Sequence, residues 1–198
     1  MKGPHAMIQS QSVRTLVAVV ISLAVTNGCA GKKTYQNKNM DFGSIKTVAV
    51  MPFANLTRDT LAAERVRDVL SNMLLATEAF YVVHTGEMAR AINRLAVGNA
   101  TAPNTEEIVK LGGMLKVEAI ITGVVKEYGE VRGGTSTANV VSVSAQMFET
   151  ATGKVVWSGT STKGGVTWGA RLLGTAGGDP VNDVTEEATN DLIKQLFR

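Results

Sequence analysis

Few side chains in this sequence are placed to make or break bonds. Histidine occurs only at His5 and His84, and the sole cysteine is Cys29. No His-x-x-x-His, Cys-x-x-Cys or carboxylate–histidine cluster is present, so the spacing offers no catalytic zinc site, and neither a metal nor a cofactor is expected. The paired glycines at 112–113, 133–134, 164–165 and 177–178 match neither a phosphate-binding P-loop nor a Gly-x-Gly-x-x-Gly turn, and read as loop and hinge positions. Serine and threonine are plentiful, but no Gly-x-Ser-x-Gly elbow marks a nucleophile. Asp41, Asp59 and Asp68 stand alone in sequence and are expected to be solvated. His84 reads as a surface residue at the end of a strand. The net charge is a mild +3 with scattered cations, and aromatics make up only 5%, so a nucleic-acid partner is not expected. The one chemistry left is that of the lone thiol.

Its position is informative. Lys2 and Arg14 sit in a slightly basic start, after which Leu16 to Val25 is apolar and uncharged. That run is too short for a spanning helix, which needs about 20 apolar residues, and it suits the core of a signal peptide. The residues that follow, Thr26-Asn27-Gly28-Cys29-Ala30-Gly31, resemble a bacterial lipobox, in which the thiol is acylated and the preceding bond is cut. Thr26 departs from the leucine usual there, and Asn27 is also less usual. The alternative is an ordinary signal peptide with a leftover cysteine. The lipobox resemblance implies a signal peptide over 1–28, a lipidated Cys29, and a membrane attachment through that lipid. Ala30 in place of Asp implies sorting to the outer membrane, with the chain facing the periplasm. With no cysteine beyond Cys29, an oxidising compartment imposes no disulfide on the rest.

Residues 29–43 are polar and unpatterned beyond Cys29 and read as a tether. A single α/β domain is expected over 44–198, long enough to bury a core without disulfide or metal. Lys46 to Phe53 is a β-branched run stopped by Pro52, the pattern of a buried strand. Leu61 to Ala76 places Leu61, Val66, Val69, Leu70, Met73 and Leu74 on one side and charges on the other, an amphipathic helix. Phe80 to Val83 is a short strand and Glu87 to Leu95 a second helix. Asn104 with Glu107 predicts a capping box opening a third helix through Leu115, its end weakened by Gly112 and Gly113. Ala119 to Val125 is the strongest strand signal. Val140 to Phe148 alternates apolar and polar, as a strand with one solvated face should. Glu149 to Lys154 is a turn with Gly153 where positive φ is needed, and Val155 to Ser158 completes the hairpin. Val181 to Phe197 closes the chain as a helix. The predicted order is β-α-β-α-α-β-β-β-α, a mixed β-sheet packed by helices.

Three stretches in this order resemble the curli-secretion lipoprotein superfamily: Val48-Ala49-Val50-Met51-Pro52-Phe53 before a long helix, Gly113 to Gly123, and Glu149 to Ser158, which is similar to the family's D-x-x-T-G-x-x-x-W-S hairpin. The resemblance spans the expected mature domain. It takes in CsgG-like pore proteins and PelC-like ring lipoproteins, and the same core resembles LpoB-like activators and the TolB N-terminal domain. It implies a TolB N-terminal/CsgG-like fold and a docking role without enzymatic activity. Pore-forming relatives lengthen two places into membrane-spanning hairpins, each needing about 20 residues plus a turn. Here 126–139 is too short to cross and return. The Gly-rich stretch 159–179 has the length, but its apolar residues do not alternate strictly, so a secretion pore is the weaker branch.

That Gly-rich stretch carries Trp168, Arg171, Leu172 and Leu173. A tryptophan usually fills core, but an amphipathic ring beside a cation also suits a membrane interface or subunit contact. These four are the expected partner or membrane contacts. The functional expectation is an outer-membrane-anchored periplasmic lipoprotein, homo-oligomeric, serving as a ring-forming or scaffolding accessory of a secretion, export or envelope-assembly system of the curli or exopolysaccharide type. The alternative is an LpoB-like activator of a peptidoglycan synthase, with a cell-wall synthesis protein as partner.

Overall fold

A computed structural model of the chain describes residues 34–133, 136–165 and 178–198. Cys29 and the apolar run before it lie outside the described residues, as do Trp168, Arg171, Leu172 and Leu173.

Two lanes of apolar residues organise the centre of the sheet. In β2 (Thr47–Val50) the residues alternate, so Val48 and Val50 enter one core while Ala49 and the following Met51 enter another. Such two-sided burial fits a strand paired in parallel on both flanks. β2 lies between β4 (Tyr81–Val82) and β5 (Ala119–Gly133), parallel to each. Pro52 cannot donate to a ladder. The lane breaks there and resumes as β3 (Ala54–Asn55), which pairs with Val124 and Val125 further along β5. β5, β6 (Ser136–Glu149) and β7 (Val155–Gly164) form an antiparallel meander, and β1 (Thr34–Gln36) adds antiparallel to the outer edge of β7. The strand order is β1-β7-β6-β5-β2-β4, with β3 beside β5.

Helices cover both faces. α1 (Ala62–Ala76) and α4 (Val181–Leu196) pack on the face that presents Val48, Val50, Ile121, Val143, Ala145 and Met147. α2 (Thr85–Arg94) and α3 (Thr105–Leu115) place Met88, Ala91, Ile108 and Leu111 over Ala49, Met51 and Ile120. Over β6 and β7 that second face is polar, with cross-strand hydroxyl pairs Ser142–Thr162 at 2.8 Å and Ser144–Thr160 at 2.9 Å. The alternation expected for Val140 to Phe148 holds in residue type, but the polar face is only partly solvated: Gln146 is exposed, Ser144 half-buried and Ser142 buried. Trp157 is buried, and its Nε1 donates to the Gln195 carbonyl at 3.3 Å.

The mixed α/β class and the predicted order of nine elements are borne out. Three readings need correction. Part of the supposed tether is sheet: Thr34–Gln36 is a strand, its Thr34 hydroxyl donates to Gln195 Oε1, and Met40 and Phe42 pack against the core. The strands either side of 126–139 run through it rather than stopping at 125 and 140. A register shift between Val125 and Glu127, and Gly129 at φ +107°, interrupt its apolar pattern without ending the pairing. The third correction concerns only the loop-or-hinge reading of Gly112 and Gly113: they lie inside α3, which runs through Leu115 as expected and is capped by Lys116 in the left-handed conformation.

Gly112 has a packing reason to be where it is. A Cβ there would lie 2.2 Å from Cβ of Thr150, so the missing side chain lets the hairpin turn press against α3. The Thr150 hydroxyl completes the contact by donating to the Val117 carbonyl.

Candidate functional site

Among the described residues, His84 and the three aspartates weighed for chemistry make local contacts. His84 caps α2, its Nδ1 accepting from the Gly86 N–H at 3.1 Å. Asp41 accepts from the Gly43 N–H at 2.9 Å and starts a 3-10 turn over Phe42–Ser44. Asp68 sits 3.6 Å from Arg67. Asp59 does more than expected of a solvated carboxylate: Oδ1 accepts from the Leu61 N–H at 2.9 Å, and Oδ2 pairs with Arg65 at 3.0 Å. The capping box holds as predicted, with Asn104 Oδ1 accepting from the Glu107 N–H at 2.9 Å and Glu107 Oε2 accepting from the Asn104 N–H at 2.8 Å. The other oxygen of Glu107 accepts from the Gly98 N–H at 3.0 Å. These backbone donors, Asn104 first and then Gly98, hold the Glu107 carboxyl below its ordinary value. Among the described residues, no three of His, Cys, Asp and Glu gather where they could hold a metal ion.

The described surface carries two open grooves. One groove, of about 580 Å³, runs between the C-terminal end of α3 and the β6–β7 turn. Met40, Val109 and Val117 give it apolar wall, while Lys116, Glu118 and Glu149 supply charge. Glu118 is already engaged, its Oε2 accepting from the Thr47 N–H at 2.6 Å and the Lys46 N–H at 3.3 Å. A second groove, of about 410 Å³, lies at the end of α4, with Phe42, Ile45, Phe80 and Phe197 beneath a rim carrying Lys46 and Arg198. Phe80 and Phe197 stack there with centroids 5.5 Å apart.

A third feature projects rather than recedes. Leu56 is 69% exposed and Leu61 49%, on the short connection between β3 and α1. Periodicity misplaces it: apolar spacing puts Leu61 on the buried side of the first helix, whereas it is the half-exposed N-cap of α1, and Asn55 to Thr60 has neither strand nor helix spacing. The legible signal was local: Asn55 and Asp59, residues that bind nearby backbone, bracket a leucine with no buried face to fill. The sequence-predicted contacts Trp168, Arg171, Leu172 and Leu173, and the thiol of Cys29, lie outside the described residues and are not brought into relation with these surfaces.

A mixed sheet with two helices on each face and open grooves beside α3 and α4 defines a mixed α/β domain. Comparison with known proteins places it further. The family model described as peptidoglycan-synthase activator LpoB matches residues 7–162, and the chain belongs to that family. No curated protein sequence matches it. Among solved structures it is similar to the PelC dodecamer from Paraburkholderia phytofirmans, at 17% identity and a TM-score of 0.52, covering 82% of this chain and 94% of that one. It is also similar to the hypothetical protein CT253 from Chlamydia trachomatis, at 12% identity and a TM-score of 0.50, covering 77% of this chain and 96% of that one. At these identities the likeness is one of fold.

Proposed function

We propose that this protein is an accessory of cell-envelope assembly that works by docking, and that its target is a peptidoglycan synthase which it activates. The observation that carries this reading is the match to the peptidoglycan-synthase activator family over residues 7–162. The mechanism is positional. A lipid on Cys29 holds the chain at the outer membrane, facing the periplasm, and the domain presents a preformed surface to the synthase. One acyl chain anchors only marginally, so more than one chain on the mature N-terminus is part of the mechanism. No step in it is enzymatic.

A second reading is a ring-forming scaffold for polymer export. It is favoured by the fold likeness to the PelC dodecamer over nearly the whole of that chain. In it Trp168, Arg171, Leu172 and Leu173 serve as contacts between copies or with the membrane.

Sedimentation of the full chain in detergent separates the two readings. The activator reading expects a monomer alone and a stoichiometric complex when a purified bifunctional synthase from the same envelope is added. A stable ring that ignores the synthase contradicts activation and favours the scaffold.

A further inference from the structure

The connection from β3 to α1 is tied by several hydrogen bonds and yet exposes its two leucines. Leu56 is fixed at its backbone, where its N–H donates to the Val125 carbonyl at 2.9 Å. The Asn55 side chain then ties the loop shut: Nδ2 donates to the Asp59 carbonyl at 2.7 Å, and Oδ1 accepts from the Thr57 N–H at 2.9 Å and its hydroxyl at 2.8 Å. Asp59 closes the other half by accepting from the Leu61 N–H and pairing with Arg65. A slack loop could fold its leucines onto the nearby core, whereas this one holds Leu56 and Leu61 out in solvent. Two cations flank them. Arg58 is exposed, as is Lys126, the next residue after the Val125 carbonyl that holds Leu56, and neither has an ion pair among the described residues. Arg65, by contrast, is neutralised by Asp59.

We infer that the Leu56–Leu61 loop is a docking knob for a protein partner whose pocket is apolar at its floor and carries carboxylates at its rim. The inference rests on the activator reading, in which that partner is the peptidoglycan synthase. Rigidity decides between a protein pocket and a lipid surface. A pre-organised knob lowers the ordering cost of entering a shaped pocket, a benefit that a fluid bilayer does not reward. Leucine supplies the buried contact, and Arg58 supplies directional hydrogen bonds and charge steering.

The test is equilibrium binding of the full chain to a purified bifunctional peptidoglycan synthase from the same envelope. The double variant Leu56→Ser, Leu61→Ser is expected to bind about tenfold or more weakly with a nearly unchanged thermal melt, since Leu56 is mostly exposed and Leu61 half-exposed. Arg58→Glu is expected to weaken binding and flatten its salt dependence. Tyr81→Ser, which removes another exposed large side chain from β4, is the control and is expected to bind like wild type. Wild-type binding that survives the double variant overturns the knob while leaving the activator reading intact. An equal loss in Tyr81→Ser overturns it too, because exposure alone would then explain the effect. Failure of the wild type to bind any synthase contradicts the activator reading, and the knob's assigned partner with it. Flotation with phosphatidylglycerol vesicles covers the other class of partner. If the double variant loses vesicle binding but keeps synthase binding, the loop is a lipid contact and the proposal is wrong.

Discussion

Gly153 shows how one residue links turn chemistry to tertiary packing. It adopts φ +66°, where a side chain is strained, and its N–H donates to the Glu149 carbonyl at 2.8 Å to close the β6–β7 turn. A Cβ there would also lie 2.5 Å from Cγ2 of Thr105, at the start of α3. The sequence makes the turn legible, but the second constraint comes from a helix over 40 residues away and has no local signal. Gly153→Val combines the left-handed strain of a β-branched residue with overpacking, about 3 kcal/mol together. The expected result is a melting temperature lower by roughly 10 °C, and an unchanged melt contradicts it. Glu107 gives a pH signature. Its carboxyl is held low in the folded chain, so its contribution is present above the ordinary carboxylate range and lost as pH falls below it through the lowered folded value. Urea titrations of wild type and Glu107→Ala should therefore differ at neutral pH and converge in acid. A gap that stays constant through that window would show that Glu107 acts by packing and not by charge.

At the scale of elements, legibility followed the length and the one-sidedness of each pattern. α1, α3 and α4 each repeat an apolar stripe over several turns, and β6 alternates because one face meets α4 while the other carries hydroxyl pairs. β1 and β3 escaped because three and two residues are too few to display a period. The outer part of the β5–β6 hairpin escaped because Lys126, Glu127, Glu130 and Arg132 are solvated on a strand that its partner alone sustains. The loop from Leu56 to Thr60 escaped, and apolar spacing assigns Leu61 to the helix that it only caps, because side-chain hydrogen bonds, not periodicity, fix this connection. The two tryptophans make a contrast at this scale. Trp157 is core and donates to α4, so Trp157→Ala is expected to cost about 3–5 kcal/mol. Trp168, proposed as a contact, predicts the opposite: Trp168→Ala leaves the melt unchanged and weakens self-assembly or membrane attachment. A collapsed melt in Trp168→Ala would make it a core residue and remove it from the contact set.

For the molecule as a whole, the proposed device is a lipid on Cys29 joined to a docking domain that acts on a partner. The anchor is tested by fatty-acid labelling in cells, which should tag the wild type and leave Cys29→Ser untagged. Equal labelling of both, or of neither, contradicts a lipid at Cys29. The docking role is tested most directly by the rate of glycan polymerisation. A bifunctional peptidoglycan synthase from the same envelope is reconstituted in detergent micelles with its lipid-linked substrate, with and without the purified full chain. The account predicts that the chain raises the rate in a saturable, roughly stoichiometric way and polymerises nothing by itself. A rate that stays the same at saturating chain, for every synthase of that envelope, would contradict it.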